Sequence, residues 1–401
     1  MFMAYKFRMY PNEDQKILIE KHIGSCRFIW NYFLDMRNKR YTETMQRMEY
    51  KEMQSLIPLL KHENQWLREI NSQSLQAVVQ NLDTAFIRFF KEIGEYPKFK
   101  KKNYGGSFTI PQHFKIDNRN ITIPKFKTPL SVFMCRNIKG EVRNLTISKT
   151  SSGRYYVSIL TEEKTESLKT KKIAIDGSIG IDVGIKEFLV LSDGTQIHNP
   201  KNRKKSEKLL VRRQRQLSKK NKGSKNCNKA RIRVAKIHEH ITNQRTDFHN
   251  KISDVILKQY DTVVVENLNV SGMLKNHHLS KSISDVGWSS FFAMLKAKAS
   301  QRGKNVIEIG RFDPSSKMCS ECGNIKHNLK LSDRIYHCNV CGLSIDRDLN
   351  AAINIWRFGL IKVGLEQPEL TPVESAMAGY LTREGISYHS LKQEISPKRV
   401  G

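Results

Sequence analysis

The sequence predicts a multidomain α/β protein, and three observations point there. One alternating strand leads into long helical stripes. A series of short strands follows, divided by turn signals. Then come two apolar strands carrying acids, a pair of Cys-x-x-Cys knuckles and a final acid-tipped helix. At 401 residues the chain exceeds one small core and suggests two or three domains; 39% hydrophobic and 27% charged content is that of a globular protein.

Tyr5, Phe7 and Met9 alternate with Lys6, Arg8 and Tyr10, the period of a half-buried strand, and Pro11 closes it. Asn12 opens a helix, with Gln15 at the distance of a capping box. Ile19, Ile23, Cys26, Trp30, Phe33 and Leu34 then form one apolar stripe, and helical pattern continues through Leu67, Leu75, Val79, Leu82, Phe86 and Phe90. At Gly94-Glu95-Tyr96-Pro97 the character changes. Strand-like runs at 107–110, 121–123, 131–134, 144–148 and 155–160, separated by turns such as Asp117-Asn118-Arg119-Asn120, predict a small β-barrel or sandwich over 94–172. The strand of 1–10 is expected to join it, making the helices of 11–93 an insertion. A third unit over 173–310 begins with strands and contains a basic helical hairpin, 201–250, turning near Gly223. Residues 311–345 hold the knuckles, 346–363 a last helix, and the tail of 364–401 lacks periodicity and is expected to be loosely ordered.

The formal net charge is +30, from 69 Lys and Arg against 39 Asp and Glu. Such self-repulsion adds no stability, so the excess points to a polyanion partner; a generic basic protein is the plain alternative. Acids are nearly absent around Arg212, Arg213 and Arg231, where a merely solvated hairpin would mix signs. Lys98-Phe99-Lys100-Lys101-Lys102 sets an aromatic inside a basic run. No apolar run approaches the roughly 20 residues that span a bilayer, and the start lacks the apolar stretch of a signal peptide. A cytoplasmic location without membrane partners is therefore expected. In a reducing compartment, seven cysteines argue for metal or free thiols over disulfides.

Cys319-Ser320-Glu321-Cys322 and Cys338-Asn339-Val340-Cys341 are two knuckles separated by 15 residues. Two tight turns each offering two thiolates make one tetrahedral Zn2+ site, with disulfides or an iron–sulfur centre as the alternatives. Gly323 and Gly342 follow the second cysteine of each pair, where a knuckle uses positive φ. Such a site is closed and structural; His327 and His337 are not needed, and Cys26, Cys135 and Cys227 stand isolated.

Ile179-Gly180-Ile181-Asp182-Val183-Gly184-Ile185 puts an acid in an apolar strand, and Asp261-Thr262-Val263-Val264-Val265-Glu266-Asn267 repeats the situation. A buried acid is costly unless a cation or hydrogen bonds compensate it. Asp346-Arg347-Asp348-Leu349-Asn350-Ala351-Ala352 starts a helix whose apolar positions are Leu349, Ala352, Ile353 and Trp356. Each acid alone reads more readily as a cap than as a catalytic group. Together, two strand-borne acids and one helix-borne acid match an RNase H-like nuclease core, in which two Mg2+ ions relieve the repulsion and activate water. Asp346 competes with Asp348 for the third role.

These segments, with Pro314-Ser315-Ser316-Lys317-Met318-Cys319, Gly24-Ser25-Cys26-Arg27-Phe28 and Tyr96-Pro97-Lys98-Phe99-Lys100, resemble the TnpB family of transposon-encoded RNA-guided nucleases, relatives of type V CRISPR effectors. The resemblance implies a RuvC nuclease core holding the zinc ribbon, and a wedge β-barrel with an inserted helical recognition domain. It puts Asp182, Glu266 and Asp348 at the catalytic, Mg2+-binding positions. It implies a guide RNA from the transposon end, one protein per RNA, and double-stranded DNA beside a short flanking motif read by the protein, while base pairing reads the rest. Tyr50 and Gln76 fall where family members contact that motif, and Ser72 stands where some carry lysine. Lys98, Lys100, Lys101, Arg212, Arg213 and Arg231 are the expected nucleic-acid contacts. Rival readings are a non-cleaving guided repressor, a strand-joining transposase without guide, and a compact CRISPR effector with an array-encoded guide.

Overall fold

The computed structural model describes residues 2–102, 105–163, 170–330 and 332–365, and the backbone of two strands beyond them. Its contacts divide the chain into two units: 1–167 with 213–236, and 168–212 with 237–401.

In the first unit β1 (Phe2–Met9) leads into α1 (Glu13–Thr44), capped by the Asn12–Gln15 box that the sequence predicts. Short helices α2 (Tyr50–Ser55) and α3 (Ile57–Glu63), a 3-10 turn at Gln65–Glu69 and α4 (Ser72–Phe90) complete the helical part. Then follow β2 (Gly106–Ile110), β3 (Lys115–Asp117), β4 (Asn120–Thr122), β5 (Leu130–Phe133), β6 (Glu141–Lys149) and β7 (Tyr155–Glu162). They pair in the order β2-β6-β7-β1-β5-β4-β3, so the first strand lies inside the sheet and four helices fall between two of its strands. Tyr5, Phe7 and Met9 are buried, as are all six residues of the α1 stripe. The second stripe needs a correction: Phe90 is exposed, because α4 ends there and its last turn no longer faces the core.

The second unit opens with β8 (Ser178–Val183), β9 (Glu187–Leu191) and β10 (Gln196–His198). Two long helices follow, α5 (Asn202–Ser218) and α6 (Lys225–Gln259); their stretch 213–236, which turns through Gly223 at φ +83°, counts with the first unit. The second runs past the expected end of the hairpin, since Ile252, Ile256 and Leu257 give its last turns a buried apolar face. Next come β11 (Thr262–Val265), α7 (Val270–Met273), α8 (Ser280–Val286), α9 (Trp288–Gln301) and β12 (Asn305–Glu308). The hairpin β13 (Ile335–His337) and β14 (Ser344–Asp346) then precedes α10 (Arg347–Lys362). The main sheet runs β10-β9-β8-β11-β12, antiparallel on the β9 side of β8 and parallel through β11 and β12. In the tail, β15 (Met377–Thr382) and β16 (Gly385–Ser390) pair as a hairpin; its other residues from 366 on lie outside the described ones. Among the described residues no helix is long and apolar enough to cross a membrane.

Candidate active site

Ile181 of β8 pairs with Val265 of the parallel strand β11. The next residues along, Asp182 and Glu266, therefore stand side by side at the C-terminal ends of adjacent strands, where open α/β sheets gather their ligands. Asp348 arrives on α10, which lies tightly against both strands. A Cβ on Gly180 would sit 2.3 Å from the Ala352 carbonyl oxygen and 2.6 Å from Trp356 Cβ, and one on Gly359 would sit 2.3 Å from Val264 Cγ1. Trp356 Nε1 also donates to Ser178 Oγ at 2.7 Å.

The two acids of the helix start divide their work. Asp346 is exposed and caps α10, its Oδ1 accepting from the backbone N–H of Asp348 at 3.0 Å and of Leu349 at 3.1 Å. Asp348, in the first turn, is the one whose charge reaches Asp182. Burial pushes the Asp182 carboxyl well above the usual carboxylate range, and the charges of Glu266 and Asp348 push it further, against weaker help from the Val183 backbone and Arg347. Burial raises Glu266 too, while Ser315 Oγ, donating to Glu266 Oε1 at 2.7 Å, pulls it back. All three acids keep some exposed surface, though Asp182 is densely walled by protein. The Arg347 guanidinium, 3.5 Å from Asp348, offsets only part of the repulsion felt at Asp182, and three hard oxygen donors of this kind suit Mg2+.

The four cysteines behave differently. Among the described residues they are the His, Cys, Asp or Glu group whose ligand atoms all lie within 4.8 Å of one another; the three carboxylates form no such tight set. Cys319 Sγ is 3.6 Å from Cys341 Sγ, and Cys322 Sγ is 3.6 Å from Cys338 Sγ. A disulfide needs about 2.05 Å, whereas tetrahedral bonds of about 2.3 Å to zinc space the sulfurs about 3.8 Å apart. The donor set therefore fits one Zn2+. The two knuckles repeat one turn: Gly323 N donates to Cys319 O at 3.0 Å and Gly342 N to Cys338 O at 3.1 Å, with both glycines at positive φ. Backbone N–H groups of Cys341 and Val340 hold the Cys338 thiol below its usual range, while burial pushes Cys319 up and, with the neighbouring thiols, raises Cys341, so a cation is needed to hold all four as thiolates.

Helix α10 also grips the first knuckle. Its buried residues are Asn350, Ala351, Ala352, Asn354, Ile355, Gly359 and Leu360, while Leu349, Ile353 and Trp356 are only half-buried. The apolar face expected from the sequence is thus turned in part, because two asparagines are buried for their bonds. Asn350 Nδ2 donates to Met318 O at 2.7 Å and its Oδ1 accepts from Ser320 N at 2.9 Å. Asn354 Nδ2 donates to Ser315 O at 2.8 Å and Met318 O at 2.6 Å. Arg357 adds a bond to Ser320 O. Sequence reasoning gave Ser315, Asn350 and Asn354 no role; asparagines recurring in an apolar helix, and a glycine inside a strand, are the signals that could have found this contact.

Of the expected nucleic-acid contacts, Tyr50 opens α2 half-buried against the first unit's core, and Gln76 is half-buried on α4. Ser72 begins α4, and the ammonium of Lys61 donates to its Oγ at 2.5 Å. Lys98, Lys100 and Lys101 join Arg27 in lining an open cleft of about 520 Å³. Asn31 fixes the Lys100 backbone from both sides, and the Lys100 ammonium lies 3.7 Å over the Trp30 ring. Arg212 is exposed and Arg213 half-buried on α5. Arg231 bonds Asn228 Oδ1 and the Ser151 carbonyl, so part of its guanidinium braces the protein itself.

Residues 158–277 match the family described as "Probable transposase", 288–355 the "Cas12f1-like, TNB domain", and 1–46 a "Helix-turn-helix domain". Over that last range the structure has one strand and one continuous helix. The chain is 35% identical over 363 residues to a "Putative RNA-guided DNA endonuclease" of Streptomyces pristinaespiralis, covering 89% of each chain. It is 31% identical over 375 residues to the "Putative RNA-guided DNA endonuclease InsQ" of Escherichia coli K12, covering 89% of this chain and 92% of that one. In fold it is similar to the solved structure of the mini-RNA-guided endonuclease CRISPR-Cas_phi3, with a TM-score of 0.50 at 10% identity over 92% of this chain and 94% of that one.

Proposed function

Because the chain belongs to the TnpB family of transposon-encoded proteins, and its three acids crowd one end of a parallel strand pair, we propose that it is an RNA-guided, Mg2+-dependent DNA endonuclease. The observation that carries this reading is the pairing of β8 with β11, which sets Asp182 beside Glu266 with Asp348 close enough on α10 for its charge to reach Asp182. A fold that retains such repulsion has a use for cations. In this reading the five-stranded sheet with α10 is a RuvC-type, RNase H-like core, and the seven-stranded sheet is the wedge that carries the helical recognition domain.

Asp182, Glu266 and Asp348 would hold two Mg2+ ions, whose charge would serve to activate a water and stabilise the leaving oxygen of a phosphodiester. Ser315 fixes one Glu266 oxygen, and Asp346 keeps the end of α10 closed so that Asp348 stays in place. One Zn2+ held by Cys319, Cys322, Cys338 and Cys341 is structural. A guide RNA from the transposon end, one protein per RNA, lies along the basic surfaces, with Lys98, Lys100, Lys101, Arg212, Arg213 and Arg231 facing backbone phosphates. Tyr50 and Gln76 meet the short flanking motif of the double-stranded target.

The test is to purify the protein with its co-expressed transposon end, sequence the bound RNA, and offer DNA matching its variable end beside a randomised flank. The expected outcome is Mg2+-dependent cutting of a subset of flanks, lost in Asp182→Ala with RNA binding retained. Protein free of RNA that joins strands instead would favour the transposase reading, and guided binding without cutting would favour a repressor.

A further inference from the structure

Ser315 links two parts of the second unit. Its hydroxyl donates to Glu266 Oε1, and its carbonyl oxygen accepts from Asn354 of α10. Three residues on, the carbonyl of Met318, which immediately precedes Cys319, accepts from both Asn350 and Asn354. Ser320, inside the knuckle, is held through its N–H by Asn350 and through its carbonyl by Arg357. Residues 315–320 thus touch Glu266 at one end, are pinned along α10, and carry Cys319, the first knuckle cysteine, at the other.

The side chains that do the pinning are otherwise expensive. Asn350 and Asn354 are both 0% exposed, in mid-helix where an apolar residue would pack without polar cost. Asn354 Oδ1 has no protein partner in its buried position. An orphaned acceptor of that kind costs about 1–3 kcal/mol. All the recorded side-chain bonds of these two asparagines go to residues 315–320, so gripping that segment is what offsets the cost. The grip lies two and six residues from Asp348 on the same rigid helix.

We propose that Ser315, Asn350 and Asn354 are positioning residues that make the first zinc knuckle a strut between Glu266 and Asp348, setting the spacing of the metal-binding carboxylates. The proposal deepens the nuclease reading and rests on it. The strut explains why a closed structural site is placed between two acids of an open one. Ordering the knuckle fixes residues 315–320; these fix a Glu266 oxygen directly, and α10 through its asparagines. Groups bonded to metal ligands in this way typically contribute about 10- to 100-fold to metal affinity.

The test uses the full-length, zinc-loaded protein without nucleic acid, with Mn2+ as the probe and its affinity read by electron paramagnetic resonance. Ser315→Ala removes one hydroxyl and is the least disruptive variant; Asn354→Ala removes two bonds of the grip, those to Ser315 and Met318. Both are expected to weaken Mn2+ binding about 10-fold or more while retaining zinc and the helical circular dichroism of the parent. Cys338→Ser, which loses zinc, is expected to weaken Mn2+ as Asn354→Ala does, and the double variant to add little beyond either, as for residues acting through one element. Wild-type Mn2+ affinity in Ser315→Ala and Asn354→Ala overturns the strut, as does full additivity with Cys338→Ser. Unchanged Mn2+ binding in Asp182→Ala instead overturns the carboxylate centre itself, and the strut with it.

Discussion

The four thiols at 319–341 and the three carboxylates at 182, 266 and 348 lie in one unit but are built in opposite ways. The thiols come from two copies of one turn, and their sulfurs all lie within 4.8 Å of one another. The carboxylates come from two strands and a helix and do not draw together so tightly, while burial and the charges of Glu266 and Asp348 raise the Asp182 carboxyl. The first arrangement is a closed ligand shell, and the second leaves room for a substrate. The difference also divides the cost of metal loss. Loss of zinc is expected to disorder the knuckles, and absence of Mg2+ to leave the carboxylates' repulsion in a fold that persists.

The largest break in this comparison is Asp182→Ala. Cleavage is expected to fall by about 10^3-fold or more, the scale of several kcal/mol of lost charge stabilisation, while zinc measured by elemental analysis stays at one per chain. A joint loss of zinc would show that the two centres are not separable in this direction. Gly180→Ala comes next. Its new Cβ would press on the backbone of α10, which must shift, and a misplacement of about 1 Å can cost about 10^2-fold in rate. Wild-type turnover of a labelled target would show that α10 need not lie so close.

Asp182→Asn sharpens the comparison through stability. A carboxyl whose folded pKa is raised contributes stability that is fully present below its unfolded pKa and lost as pH rises through the folded one. In metal-free protein the variant is therefore expected to melt above the parent at neutral pH, with the gap closing below about pH 4, the unfolded value. Mg2+ should narrow the gap by stabilising the parent alone. A gap independent of pH, followed by thermal melting, would contradict the assigned field. Asp346→Ala is the smallest change: loss of a cap costs about 1 kcal/mol, a few degrees of Tm, with cleavage largely retained. Cleavage lost as fully as in Asp182→Ala would make Asp346 a ligand rather than a cap.

The same contrast governs what could be read from the sequence. The thiol site was legible because two short turns determine it: the Cys-x-x-Cys spacing and the glycines at 323 and 342 are local. The acids at 182 and 266 were legible because a carboxylate in a β-branched strand is costly. Their adjacency was expected from the match to an RNase H-like core and not from either segment alone, since it depends on β8 pairing with β11 across the long helices α5 and α6. Nor could spacing separate Asp346 from Asp348; the cap bonds do that. The face of α10 was read in part, Ala352 being buried and Trp356 packing beside Val264 and Ile355. The buried Asn350 and Asn354 escaped because periodicity counts only apolar residues, and these amides serve a neighbouring carbonyl chain. In the first unit the inserted helices follow from a strand at the very start, but the short strand at 115–117 escaped notice because three residues carry no period.

Anomalous diffraction at the zinc and manganese edges, from crystals of the full-length protein soaked in Mn2+, tests the central claim most directly. The account predicts one zinc peak among the sulfurs of Cys319, Cys322, Cys338 and Cys341, and manganese bound by Asp182, Glu266 and Asp348 with no protein ligand closing its outer side. Manganese absent from those carboxylates, or zinc found among them instead of the thiols, would contradict it.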